Sequence, residues 1–200
     1  MTSSLLDIRP PGGFELIMAD PPWRFQTRSA KGVTRKGAGG QYRTMSLAEI
    51  KALPVGGLAA QDCLLWLWTT NPFLPRAFEV LEAWGFAYRT AGHWAKTTAG
   101  GGLAFGTGYI LRCAGEPFLI AVRGRPVTTR SVRSVLLGRV REHSRKPEEA
   151  FAAAEALMPG ARRLELFSRQ ERPGWTCWGD EAGKFGNVAD QAALGEGLGI

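Results

Sequence analysis

Two apolar runs, FELIMAD (14–20) and CLLWLWTT (63–70), show no polar alternation, so both read as strands buried on each face of a sheet. YRTAGHWAKT (88–97), EPFLIAVRG (116–124) and RRLELFSR (162–169) add three more strands. Helical spacing separates them. SLAEIKAL (46–53) opens with Ser46 and carries Glu49 three residues later, the spacing of a capping box. PFLPRAFEVLEAWG (72–85) repeats Phe78, Leu81 and Trp84 along one face and has Gly85 as its stop. SRKPEEAFAAAEAL (144–157) places Pro147 and two glutamates in the first turn of an alanine-rich helix. The stretches 24–44 and 124–142 are basic and aperiodic and read as loops, and a Gly-rich connection, TAGGGLAFGTGY, fills 98–109. From about Gly183 the chain is small and polar. The pattern predicts one α/β domain over 1–185, a sheet with helices on both faces, and a flexible tail over 186–200. In such sheets ligands bind beyond the carboxyl ends of the strands, where Asp20, Thr69–Asn71 and Ser168–Arg169 would share one cleft.

Composition narrows the partners. No stretch reaches the roughly 18 apolar residues of a membrane span, and MTSSLLDIRPPGG lacks the basic-then-apolar pattern of a secretory signal, so a cytoplasmic location without membrane contact is expected. Three cysteines far apart and two histidines give no zinc or disulfide spacing, and no metal is expected. The net charge of +7 matters through its distribution. Arg24, Arg28, Lys31, Arg35, Lys36 and Arg43 lie in one acid-free stretch; Arg123, Arg125, Arg130, Arg133, Arg139 and Arg141 lie in another. Two such stretches point to a nucleic acid, with Arg35 and Arg130 taken as backbone contacts of the two loops. The oligomeric state stays open.

The first strand stops at Asp20-Pro21-Pro22-Trp23. By itself this is also what a strand-ending turn looks like. Its chemistry is more specific. The exocyclic amino group of a nucleobase is a poor nucleophile, because its lone pair is delocalised into the ring. A carboxylate and a carbonyl oxygen at its two N–H bonds draw it towards a tetrahedral, more nucleophilic form. Asp20 supplies the carboxylate, the two prolines expose carbonyls without competing N–H donors, and Trp23 offers a face for an extruded base. The electrophile that suits this arrangement is a sulfonium methyl.

DIRPPGGFELIMADPPW, QYRTMSLAEIKALPV, LLWLWTT, WGF followed by WAKT, GTGYILRCAGEPFLIAVRG, HSRKPEEAF and RLELFSRQERPGWTCWGDE occur in that order. In these segments the chain resembles the MT-A70 family of adenine N6 methyltransferases, which includes the eukaryotic mRNA methyltransferase catalytic subunit and many bacterial and phage enzymes. The resemblance implies a Rossmann-like methyltransferase sheet, permuted so that the DPPW strand comes near the N-terminus, and S-adenosylmethionine as cofactor. It implies that Asp20, Pro21, Pro22 and Trp23 form the catalytic tetrapeptide. Asp7 and Ile8 would read the cofactor adenine, with Asp20, Glu165, Arg169, Asp180 and Glu181 lining its remainder. Tyr42 and Trp68 match aromatic positions near the substrate adenine, and Trp68 also suits a core. His143, Ser144, Lys146 and Pro147 match a motif expected to cap a helix and close a loop. The chain departs from the human-type enzyme in having Gly115 where a lysine for the methionine carboxylate is expected, with Arg112 as a weak substitute, and Asp180-Glu181 where an Asn-Gln pair is expected. The first expectation is DNA adenine methylation. RNA adenine methylation is the alternative, and a silent nucleic-acid-binding subunit comes third.

Overall fold

The computed structural model describes residues 4–24, 44–108, 110–141, 145–180 and 182–183. Seven strands form one mixed sheet: β1 (Phe14–Ala19), β2 (Ala59–Trp68), β3 (Ala87–Thr97), β4 (Gly115–Arg123), β5 (Val135–Arg139), β6 (Arg163–Leu166) and β7 (Trp175–Trp178). Their order across the sheet is β5-β3-β4-β2-β1-β6-β7. Only β4 runs against the rest, pairing antiparallel with both β2 and β3, while β1 is parallel to β2 and β6. The helices are α1 (Leu47–Lys51), α2 (Val55–Leu58), α3 (Leu74–Ala83) and α4 (Glu148–Leu157). This is the Rossmann-like α/β methyltransferase arrangement, with the DPPW strand first in the chain and central in the sheet. Among the described residues no helix is long and apolar enough to cross a membrane.

The uninterrupted apolar strands are explained by two cores. Ile17 and Ala19 of β1, with Cys63, Leu65 and Leu67 of β2, face one cluster under α1, α2 and α3. Leu16 and Met18, with Leu64, Trp66 and Trp68, face the other, under α4. Helix α4 approaches closely because Ala150 and Ala154 are fully buried, and Phe151 fills the remaining gap. Aromatic rings dominate that second core: Trp66 stacks on Phe118 at 4.1 Å, and Trp68 meets the same ring edge-on at 5.1 Å.

The capping box forms as spaced: the Ser46 amide donates to Glu49 at 2.7 Å and the Glu49 amide to the Ser46 hydroxyl at 3.3 Å. Gly85 ends the α3 region at φ +78°, a conformation that suits glycine. Three elements differ from the sequence pattern. Phe78 points outward against Tyr88, while Leu81 and Trp84 of the expected face are buried together with Ala77 and Val80. The basic segment 124–142 contains β5, an edge strand whose alternating burial leaves Val135 and Leu137 exposed. The last strand, β7, is only WTCW.

Gly92 lies opposite Phe118 in the β3–β4 ladder. A Cβ there would overlap the Phe118 ring and stand 2.8 Å from the Ser134 carbonyl. With that ring wedged against two tryptophans, Gly92→Ala is expected to cost about 2–3 kcal/mol in urea unfolding, through overpacking. A change within about 0.5 kcal/mol would show that the aromatic core can repack.

Candidate active site

Strand β1 ends at Asp20 because the next two residues have no N–H to continue the ladder. The turn is closed by backbone bonds. The Trp23 amide donates to the Pro21 carbonyl at 2.8 Å, and the Met45 amide to the Pro22 carbonyl at 2.9 Å. Each carbonyl therefore keeps one acceptor position. Trp23 is 5% exposed and its indole stacks on Phe73 at 5.4 Å and 20°. The open stacking face expected of Trp23 is thus filled by a protein ring, and the indole anchors the tetrapeptide to the core.

Asp20 keeps 26% of its side-chain surface accessible and pairs with Lys146 at 2.9 Å. Lys146 also pairs with Glu116 at 2.6 Å, and Glu116 with Lys96 at 3.0 Å. The two ammonium groups lie over indole rings, Lys146 over Trp68 at 5.3 Å and Lys96 over Trp94 at 4.6 Å. The carboxylates separate in character. Burial pushes the Asp20 carboxyl above its usual range, against the pull of Lys146. Burial would raise Glu116 too, but Lys146 and Lys96 outweigh it and hold that group low. For Lys146 burial acts downward, and Asp20 with Glu116 outweighs it, so the ammonium is kept charged. Glu116 therefore holds its charge firmly, and Asp20 is the more basic of the two acids.

A narrow open cleft adjoins Asp20 and is lined by Arg145, Lys146, Phe151, Glu165, Phe167, Arg169 and Gln170. Its floor is the turn after β6. Phe167 takes φ +65°, rare for a residue with a side chain, and Gly179 packs so tightly on the turn that a Cβ would lie 2.6 Å from the Ser168 carbonyl. The Ser168 hydroxyl donates 2.6 Å to the Gln170 carbonyl and lies 3.1 Å from Glu165 Oε2. Burial pushes the Glu165 carboxyl up to about 7, opposed mainly by Arg172.

The MT-A70 family model matches residues 14–181. The chain belongs to the MT-A70 family. It is 34% identical over 175 residues to an N(6)-adenosine-methyltransferase MT-A70-like protein of Arabidopsis thaliana, covering 85% of this chain and 24% of that protein. The type II methyltransferase M.MunI of a Mycoplasma species is 29% identical over 186 residues, 84% of this chain and 77% of that protein. The human N(6)-adenine-specific methyltransferase METTL4 is 31% identical over 190 residues, 88% of this chain and 39% of that protein. The chain spans about a quarter of the length of its plant relatives. Membership makes it a member of an N6-adenine methyltransferase family.

In this MT-A70 chain the fold brings together Asp20, Glu165 and Arg169. Trp68 is fully buried at the end of β2, beneath Lys146, so it supports the site from the core. Asp180 follows β7 and is exposed. Asp7 and Ile8 are not gathered with the others. They form a 3-10 turn in which Asp7 accepts from the Ser4 amide at 2.7 Å. That turn packs on α2, which leads into the start of β2, so it lies at the amino edge of the strands. Arg130 is also at that edge, because neighbouring Thr129 bonds to Ala156 and Leu157 at the far end of α4. Arg139 and Arg141 of the same basic stretch reach the carboxyl edge instead. Arg35, Tyr42, His143, Ser144 and Glu181 fall outside the described residues.

The sequence reading passed over Lys146, Glu116, Lys96 and Gln170 as site residues. One signal was present: a lysine directly ahead of a helix opposes the helix dipole, which calls for a buried anion nearby. The position of Gly115 is closed as well, since a Cβ would overlap the His93 imidazole and stand 2.5 Å from the Trp94 carbonyl. No side chain at 115 could serve a ligand. The ammonium groups at this edge come from Lys146 and Lys96, while Arg112 is exposed over Phe105 at 4.7 Å.

Glu165 generates a pH prediction. Its folded value, about 7, lies above the ordinary 4.5, so the stability tied to its bound proton is complete below about 4.5 and lost as pH rises through about 7. Glu165→Gln keeps an acceptor for Ser168 and removes that penalty. The ligand-free variant should be more stable than the parent at pH 8, by at most roughly 3 kcal/mol, and equal to it near pH 4. Urea titrations at the two pH values check this, and a variant less stable at pH 8 would refute the assignment.

Proposed function

We propose that this chain transfers the methyl group of S-adenosylmethionine to the N6 amino group of adenine in DNA. The observation that carries the chemistry is Asp20: a carboxylate at the end of a central strand, opened to a cleft and charge-compensated by one buried lysine. Lys146 occupies Oδ2, which leaves Oδ1 to accept one N–H of the target amino group. The free acceptor position of the Pro21 carbonyl suits the other. Together they hold the nitrogen lone pair towards the incoming electrophile. The raised affinity of Asp20 for protons equips it to take the amino proton once nitrogen has become cationic.

The polar groups lining the cleft suit those of the cofactor. Glu165 offers acceptors for ribose hydroxyls, and the buried Gln170 Nε2 is a donor with no partner among the described residues. When bound, the cofactor supplies a sulfonium methyl as the electrophile. Phe151 and Phe167 provide apolar walls against which the cofactor's carbon atoms can pack.

DNA is favoured over RNA by one feature of the comparisons. M.MunI is matched over most of its own length, whereas the N6-adenosine methyltransferases are matched over about a quarter. Arg139 places a cation at the rim, which suits the backbone of either nucleic acid. An RNA target remains the second reading, favoured by the adenosine-specific relatives. In both readings the nucleic acid is the partner and no membrane is involved.

Labelled methyl transfer to duplex DNA, single-stranded DNA and RNA, followed by nucleoside analysis, should yield N6-methyladenine chiefly in DNA. Label concentrated in RNA would favour the second reading. Asp20→Asn should lower turnover by about a thousandfold or more and leave cofactor affinity within about tenfold, because its contacts to the amino group strengthen in the transition state. Full activity in that variant would sink the mechanism.

Salt titration of DNA binding tests the rim. Arg139→Ala should reduce the slope of log K against log salt by about 0.9, one phosphate contact, and Arg130→Ala should leave it unchanged. Equal slopes for all three proteins would place the phosphates elsewhere.

A further inference from the structure

The chain leaves the sheet at the end of β3 and returns at the start of the antiparallel β4, so the intervening loop stands on the same edge as Asp20. Its root is fixed by backbone bonds. The Ala104 amide donates to the Lys96 carbonyl at 2.7 Å, the Lys96 amide to the Ala114 carbonyl at 2.9 Å, and the Gly106 amide to the Cys113 carbonyl at 2.8 Å. The Lys96 side chain continues into the site, through Glu116 and Lys146 to Asp20. Beyond this root the loop holds large apolar side chains out in solvent: Phe105 is 77% exposed, Leu111 82% and Ile110 85%. A group of this kind marks a surface that meets something else.

Charge and position indicate what that is. No Asp or Glu occurs from Thr98 to Gly115, and the Arg112 guanidinium lies over the Phe105 ring at 4.7 Å. Arg139, exposed at the end of β5, pairs with Thr97 at the foot of the loop. Apolar groups framed by cations suit a polyanion that carries flat apolar bases. The neighbouring site also needs an adenine drawn out of its stack, which leaves a gap that apolar side chains can fill. Trp23, buried against Phe73, is not placed to fill it. We infer that Phe105, Ile110 and Leu111 form a wedge that enters duplex DNA where the target adenine is extruded, with Arg112 against the adjoining backbone. This rests on the proposed methylation of DNA adenine and adds the device that opens a duplex to it.

Methyl transfer by the intact chain to a synthetic random-sequence DNA pool tests the wedge, with the pool used as single strands and after primer extension to duplex. The double variant Ile110→Ser/Leu111→Ser should lower kcat/KM on the duplex by about tenfold or more and leave the single strands within about twofold. Phe105→Ser should show the same selectivity with a smaller loss. All three side chains are exposed, so melting curves should match the parent. Equal losses on both forms, or none on either, would overturn the wedge, as would transfer by the parent to single strands alone. Equal losses together with a change from dimer to monomer in sedimentation velocity would assign these side chains to a second copy of the chain instead. No transfer by the parent to either form would refute DNA methylation itself, and the wedge with it, an outcome distinct from lost selectivity in the variants.

Discussion

The site depends on one buried ammonium group, that of Lys146, shared between Asp20 and Glu116. Two carboxyls this deep at a strand edge would otherwise favour protonation, and a protonated Asp20 would accept from an amino group only weakly and could not take up its proton. The lysine is carried just ahead of α4, so its position follows from how that helix docks. Ala150 and Ala154 let α4 lie close to the sheet, and Phe151 sets its rotation. Helix packing thereby controls the charge state of a residue on another element. The second cation, Lys96, makes the sharing unequal: it favours the charge on Glu116 and leaves Asp20 the more basic acid.

Both walls of the cleft are rigid for different reasons. On the β1 side, two prolines restrict the backbone and Trp23 is stacked into the core against Phe73. On the β6 side, Phe167 holds a left-handed conformation that costs of order 1 kcal/mol or more, kept in place by the close approach of Gly179 and the Ser168 bonds. Strain maintained by surrounding contacts is a way of holding ligand groups in place before a ligand arrives.

What the sequence disclosed follows the range of the forces involved. Strands buried on both faces are legible as apolar runs, and the Ser46–Glu49 cap is legible because its partners are three residues apart. Strand β5 was hidden because an edge strand needs little apolar content, and its neighbours are arginines. Lys146 looked like part of a helix start because its partners are distant in the chain and come close only when the sheet forms. The packing of Trp23 was hidden for a similar reason: an aromatic after two prolines suits an extruded base and a protein ring equally well. Arg130 and Arg139 belong to one acid-free stretch, yet the intervening strand carries them to opposite edges of the sheet.

That division of charge bears on how a polyanion and its target base are told apart. Unpaired cations deep in the cleft would draw phosphate into the place meant for a base. Lys146 and Lys96 are instead paired with Asp20 and Glu116, so these two ammonium groups offer little net attraction for an anion beside the reacting centre. Arg139, exposed at the end of β5, lies at the same edge without entering that network. On the proposed function, long-range attraction then acts on the backbone at the rim, and short-range directional bonding acts on the extruded base. The pairing with Lys146 that opposes the effect of burial on Asp20 thus also leaves that ammonium little charge to offer a phosphate.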